Sequence, residues 1–84
     1  MPKVLNYRVI IEQDEDGIYV ASVPSIRGCH TEGDTYEEVL KNIEEAITVC
    51  VEAEKDKKLL FDDSNMKFVG IRDIAIKYGS LAYS

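Results

Sequence analysis

Apolar and polar positions alternate along the first quarter of the chain. The runs VLNYRVIIEQ at residues 4–13 and IYVASV at residues 18–23 are rich in β-branched and aromatic side chains, and their alternation is typical of half-buried strands. Asp16 and Gly17 lie between the two runs, and this dipeptide favours a tight turn because both residues tolerate positive φ. The pattern predicts an antiparallel hairpin.

The segment after the second run changes from alternation to turn residues. Pro24 ends the second strand or lies on its edge, because proline has no N–H to donate to a ladder. Residues 25–28 read Ser-Ile-Arg-Gly and predict a turn. Residues 29–32 then predict a short third strand that ends before Gly33.

One long amphipathic helix follows and runs to about residue 55. Thr35 or Asp34 is the expected N-cap, and Thr35 with Glu38 matches the capping-box spacing. The apolar positions recur at three- and four-residue steps and form one face, which we expect to pack on one side of the sheet. These positions are Tyr36, Val39, Leu40, Ile43, Ala46, Ile47, Cys50 and Ala53.

The last part of the chain allows two interpretations. Residues 62–65 read DDSN and predict a polar turn. Residues 71–79 fit both strand and helix spacing, although β-branched enrichment and Gly70 favour a strand. A short extension follows at residues 81–84. The expected order is β-β-β-α-β, an α+β fold in which an antiparallel sheet carries one helix and leaves its other face uncovered.

Composition and charge narrow the functional classes. The chain has 84 residues, of which 45% are hydrophobic, so one small folded domain is expected. The net charge of −6 disfavours direct nucleic-acid binding and suits a basic partner. Neither a signal peptide nor a membrane span is visible, and two cysteines are too few for a disulfide framework. We therefore expect a cytoplasmic protein.

Two groups of residues invite a chemical interpretation. Cys29 and His30 are adjacent, but neighbouring strand residues point to opposite faces, so they do not converge as a dyad or a zinc site. A disulfide between Cys29 and Cys50 is sterically conceivable but disfavoured in a reducing compartment. No catalytic motif is present, and we expect a non-enzymatic binding protein with no cofactor and no metal.

The acidic hairpin turn has partial calcium-loop spacing. Glu12, Asp14, Asp16 and Gly17 occupy the first, third, fifth and sixth positions of an EF-hand loop. The twelfth position, which needs a bidentate carboxylate, is Val23, and the flanking elements are strands. A solvated turn is therefore the expected role.

The stretch YVASVPSIRGCHTEGDTYEEVLKNIEEAI at residues 19–47 resembles the HicB-like antitoxin family. The resemblance rests on an aromatic strand, a proline, a Gly-Cys turn, a T-x-G-D-T element and the helix that follows. The matching residues are Tyr19, Pro24, Gly28, Cys29, Thr31, Gly33, Asp34, Thr35, Glu37, Glu38, Leu40, Asn42, Ile43, Glu45, Ala46 and Ile47.

This resemblance implies a degraded RNase H-like fold without its catalytic carboxylates. It also implies an antitoxin that binds a small basic HicA-type ribonuclease, and Glu32, Asp34, Glu37 and Glu38 are the candidate contacts by position. We expect residues 1–84 to form a single HicB-like domain without a separate DNA-binding domain, as a homodimer or higher oligomer. A stand-alone oligomeric or regulatory module without a toxin is the alternative, and residual nuclease activity is a third, more remote one.

Overall fold

The computed structural model of the protein describes residues 4–79. Three short strands precede one long helix, which is followed by a single 3₁₀ turn. The elements are β1 (Ile10–Gln13), β2 (Tyr19–Ser22), β3 (His30–Gly33), α1 (Tyr36–Ala53) and the 3₁₀ turn Lys57–Leu59. This arrangement confirms the predicted α+β class.

The strands form one antiparallel sheet in the order β1-β2-β3. Ile11 lies opposite Ala21, and Ala21 lies opposite Thr31, so consecutive strands are also neighbours in space. Gly17 adopts a φ of 83° in the β1–β2 turn. The predicted hairpin is confirmed, with glycine at the position that requires positive φ.

Helix α1 begins at the position that the capping pattern predicted. Thr35 is the N-cap, and its side-chain oxygen accepts a hydrogen bond from the backbone N–H of Glu38 at 3.1 Å. At the other end, the Lys57 ammonium group donates to the carbonyl oxygens of Val51 (3.2 Å) and Glu54 (2.7 Å). The Val51 carbonyl also accepts the backbone N–H of the C-cap residue Glu54 at 3.3 Å. Both carbonyls lie at the negative end of the helix dipole, so the positive charge of the lysine stabilises them.

The core lies between α1 and the inner face of the sheet. Its fully buried residues come from β2, from the loop on either side of the β2–β3 turn and from α1: Ala21, Val23, Cys29, Val39 and Ile43. Half-buried side chains from the first strand region and from α1 complete the cluster: Tyr7, Val9, Ile11, Tyr19, Ile26, Ala46, Ile47 and Cys50. The core is small, as expected for a chain of this length.

The first strand is shorter than its sequence pattern suggests. Residues 4–9 have the composition of a strand but lie outside β1. Pro24 follows the end of β2 closely, so β2 offers no ladder partner to this part of the chain. A loop from the other end of the chain contacts it instead, since the N–H of Asp63 donates to the carbonyl oxygen of Asn6 at 2.8 Å.

The strand expected over residues 71–79 does not form. Residues 66–79 are neither strand nor helix, and their large apolar side chains are exposed. A strand requires a neighbour that pairs with its backbone, and the described chain brings none to this segment. The extension expected at residues 81–84 lies outside the described residues.

Candidate partner-binding surface

The four acidic residues expected to face a partner lie around the junction between β3 and α1. Glu32 belongs to β3, Asp34 lies in the link, and Glu37 and Glu38 occupy the first turn of α1. All four are exposed. The fold therefore places all four around this junction, with Glu32 on the sheet face opposite α1 and the other three at the start of the helix. Which of them contacts a partner stays a prediction.

This junction is held by close packing and local hydrogen bonds. A Cβ atom on Gly33 would lie 2.7 Å from the backbone nitrogen of Val39, so the strand backbone approaches the first turn of the helix directly. The side-chain amide of Asn42 donates to the carbonyl oxygen of Glu32 at 3.0 Å. Together with the Thr35 cap, these contacts hold the backbone that carries the acidic side chains.

Cys29 and His30 point away from each other. Cys29 is buried in the core, whereas His30 is exposed on the opposite side of β3. Burial raises the pKa of the Cys29 thiol, and the neighbouring Cys50 thiol raises it further through its charge and a side-chain hydrogen bond. A raised pKa keeps a thiol protonated and poorly nucleophilic, so this pair has the character of a core contact.

The acidic hairpin turn is organised by its own backbone. The Asp14 carboxylate accepts hydrogen bonds from the N–H groups of Asp16 (2.9 Å) and Ile18 (3.0 Å). This carboxylate closes the turn, as aspartate commonly does. Among residues 4–79, no three histidine, cysteine, aspartate or glutamate side chains are grouped so that they would hold a metal ion.

The face of the sheet opposite α1 is open. A shallow depression crosses it, and its lining combines apolar, hydroxyl, imidazole and carboxylate groups from all three strands. The lining residues include Glu12, Val20, Ser22, His30 and Glu32. This surface provides mixed polar contacts but no enclosed pocket for a small molecule.

A pair of aspartates that the sequence suggested only as a polar turn has a larger structural role. The Asp63 carboxylate accepts from the backbone N–H of Arg8 at 2.6 Å and from the Ser25 hydroxyl at 3.1 Å. Burial raises the pKa of the nearby Tyr7 hydroxyl, and the negative charges of Asp62 and Asp63 raise it further. The sequence signal for these contacts is only DDSN, which gives no indication of such distant partners.

No helix in the described part of the chain has both the length and the apolar character that a membrane crossing requires.

Known proteins resemble this chain over the sheet, the helix and the turn at residues 62–65, which we call the aspartate loop. A family model described as the HicB-like antitoxin of bacterial toxin–antitoxin systems matches residues 7–68. A UPF0150 protein of Synechocystis is 36% identical over 70 residues, which cover 83% of this chain and 93% of that protein. A UPF0150 protein of Archaeoglobus fulgidus is 33% identical over 75 residues, covering 89% of this chain and all of that protein. One of Thermoplasma acidophilum is 51% identical over 51 residues, covering 61% and 74%.

Proposed function

This chain belongs to the HicB-like antitoxin family of bacterial toxin–antitoxin systems, and we propose that it acts as a non-catalytic antitoxin that binds a toxin protein. The observation that carries this proposal is the family match over residues 7–68, which includes β1–β3, α1 and the aspartate loop. The proposed location is the cytoplasm, where the toxin would act.

The proposed partner is a small basic ribonuclease of the HicA type. The chain has a net charge of −6, and opposite net charges speed and orient the encounter of two proteins. Glu32, Asp34, Glu37 and Glu38 are exposed around the β3–α1 junction, so their negative charge is available to a basic partner. Binding at the toxin's active site would block access of RNA to it.

The experiment combines this protein with the product of an adjacent small basic reading frame. Co-purification and suppression of RNA cleavage at a one-to-one ratio are the expected results. If the two proteins do not associate, or if cleavage continues in the complex, the antitoxin proposal is wrong. Cleavage of RNA by this protein alone would contradict its non-catalytic role.

A pair of double variants tests the proposed contacts separately from net charge. Glu37→Gln with Glu38→Gln removes two charges at the junction, and Glu44→Gln with Glu52→Gln removes two from other exposed positions of α1. The first pair is expected to slow association at low salt more than the second. Equal effects would mean that only the overall charge contributes.

We also propose that the protein associates with itself, whether or not it has a toxin partner. The exposed apolar side chains after the aspartate loop favour this, because a small core leaves the chain with apolar surface to bury. A self-associating module without a toxin is the second candidate function. It would be favoured if the protein forms a stable oligomer and no neighbouring basic protein binds it.

A further inference from the structure

Residues 66–79, which we call the arm, form neither helix nor strand, and residues 66–78 are all exposed. The chain has a radius of gyration of 16.8 Å and principal extents of 60 × 31 × 23 Å. A compact chain of 84 residues would have a radius of gyration of about 12 Å. The arm leaves the body beside Arg8, whose guanidinium group donates to the carbonyl oxygen of Met66 at 3.4 Å and lies over the Phe68 ring.

The arm exposes an unusual amount of apolar surface. Six of its large apolar side chains are between 64% and 90% accessible to solvent: Met66, Val69, Ile71, Ile74, Ile76 and Tyr78. Isolated apolar residues are common on protein surfaces, but a continuous apolar segment marks a site of interaction.

The arm has the alternating sequence pattern of a strand, although it is not part of the sheet. Ile74, Ile76 and Tyr78 would lie on one face of an extended chain, and Asp73 and Lys77 on the other. An extended segment from residue 69 to residue 78 spans about 30 Å, which is more than the length of any strand in the sheet. Both the alternation and the length fit addition to a sheet edge.

The free edge of β1 offers the backbone groups that such a strand needs. Next to the β1–β2 turn, the N–H of Asp14 donates to the carbonyl oxygen of Ile18 at 2.9 Å, towards β2. Because hydrogen bonding alternates along antiparallel strands, the backbone groups of Val9, Ile11 and Gln13 point away from β2. No strand in residues 4–79 lies on that side of β1.

The other edge of the sheet is less open. The outward carbonyl oxygen of Glu32 in β3 already accepts the side-chain amide of Asn42 at 3.0 Å. An added strand would have to displace this hydrogen bond. The arm is therefore expected to choose β1 over β3.

Charge favours contact between the arm and the body of the protein. The arm has three basic side chains and one acidic side chain, a net charge of +2. Residues 4–65 have fifteen acidic and six basic side chains, a net charge of −9. A second copy of the chain thus presents a negative body to a positive arm.

We propose that the arm of one copy adds as a strand to the free edge of β1 in a second copy, and that the second copy reciprocates. This inference rests on the self-association proposed above and identifies the segments that produce it. Reciprocal exchange gives a closed two-fold dimer in which both arms and both β1 edges are paired. It also supplies the fourth strand that the sequence pattern predicts, from a different chain.

Amide hydrogen exchange followed by NMR, at dilute and concentrated protein, tests the exchange directly. Light scattering at the same concentrations gives the oligomeric state. In the dimer, every second amide of residues 71–78 and the outward amides of Val9, Ile11 and Gln13 are expected to become protected together, because an edge strand is paired on one side only. On dilution to monomer, protection of both segments is expected to disappear.

Substitutions at two neighbouring positions test the apolar face and the polar face of the arm independently. Ile76→Asp places a charge on the face that would be buried, and Ala75→Asp adds the same charge beside Asp73 and Lys77. Ile76→Asp is expected to weaken the dimer about a hundredfold or more, since each dimer loses two buried apolar contacts of about tenfold each. Ala75→Asp is expected to change it less than about tenfold.

The other outcomes distinguish the arm from the self-association itself. A dimer that survives Ile76→Asp with an unprotected arm means that the copies associate through another surface. An arm protected in a monomer has folded onto its own β1, which overturns the exchange. A monomer with an unprotected arm at all concentrations overturns both the exchange and the self-association.

Discussion

A Cβ atom on Gly33 would lie 2.7 Å from the backbone nitrogen of Val39 and 3.1 Å from its Cα. The last residue of β3 therefore packs directly against the first turn of α1, and only a residue without a side chain permits this approach. The junction that carries the acidic residues depends on it.

Replacing Gly33 with alanine is expected to destabilise the fold by about 1–3 kcal/mol, because backbone atoms must move to admit the methyl group. Gly70→Ala is the matched control, since nothing lies within 4 Å of a Cβ atom at that position. Urea unfolding measures both. Equal stability of the two variants would contradict the close packing.

The cap of α1 gives a second prediction. Thr35→Ala removes the acceptor for the Glu38 N–H and is expected to lower the free energy of unfolding by about 1 kcal/mol. Thr48→Ala makes the same chemical change within the helix, where the hydroxyl only donates to the Glu44 carbonyl. Thermal unfolding should show a clear loss for Thr35→Ala and little change for Thr48→Ala.

The Asp63 carboxylate links three segments that are distant in sequence. Asp63→Ala leaves the Arg8 N–H and the Ser25 hydroxyl without this acceptor, and a loss of about 1–3 kcal/mol is expected. Glu52→Ala removes one negative charge from an exposed position of α1 and serves as the control. If both variants unfold at the same denaturant concentration, these hydrogen bonds contribute nothing to stability.

Stability is expected to fall at alkaline pH. Burial raises the pKa of Cys29 above its ordinary 9.0 and that of Tyr7 above its ordinary 10.0. The folded state then retains protons that the unfolded state releases, so the stabilisation is complete below those ordinary values and is lost as pH rises through the raised pKa values.

Unfolding curves recorded from about pH 8 to about pH 11 check this prediction, because that range includes the ordinary pKa values of a cysteine thiol and a tyrosine hydroxyl. Tyr7→Phe is expected to reduce the loss of stability above about pH 10, whereas Tyr78→Phe, at an exposed position, is the control. The prediction is wrong if stability stays constant over this range, or if the two variants lose it equally.

Local signals predicted the elements that local chemistry determines. The Asp16-Gly17 turn and the Thr35 cap are fixed by neighbouring residues, and both were predictable within a residue or two. The three- and four-residue spacing of apolar positions likewise predicted the buried face of α1, which includes Val39 and Ile43, because a helix has a single period along its length.

Long-range contacts were not predictable in the same way. Nothing in DDSN indicates that Asp63 would contact Arg8 and Ser25, since a polar turn has the same composition whether or not it has distant partners. The sequence predicted that Cys29 and His30 point to opposite faces, but the contact of Cys29 with Cys50 depends on how α1 lies over β3.

The arm shows a different limit of sequence patterns. Alternation at Ile74, Ile76 and Tyr78 describes what a segment would bury as a strand, but it says nothing about which chain provides the neighbour. The strand prediction for residues 71–79 assumed a neighbour within the same chain. Within residues 4–79 no strand lies beside this segment, so the pattern is present without the element.

The Asn42 amide on the Glu32 carbonyl oxygen also bears on how far such a sheet can grow. A protein whose sheet accepts strands at both edges can polymerise into filaments, each copy templating the next. Here the Asn42 side chain already bonds an outward carbonyl of β3. A strand that adds at β1 of one molecule therefore has no equally open edge at β3 on which a further copy could add. A small acidic protein with an uncovered apolar segment thereby limits its risk of fibrous aggregation.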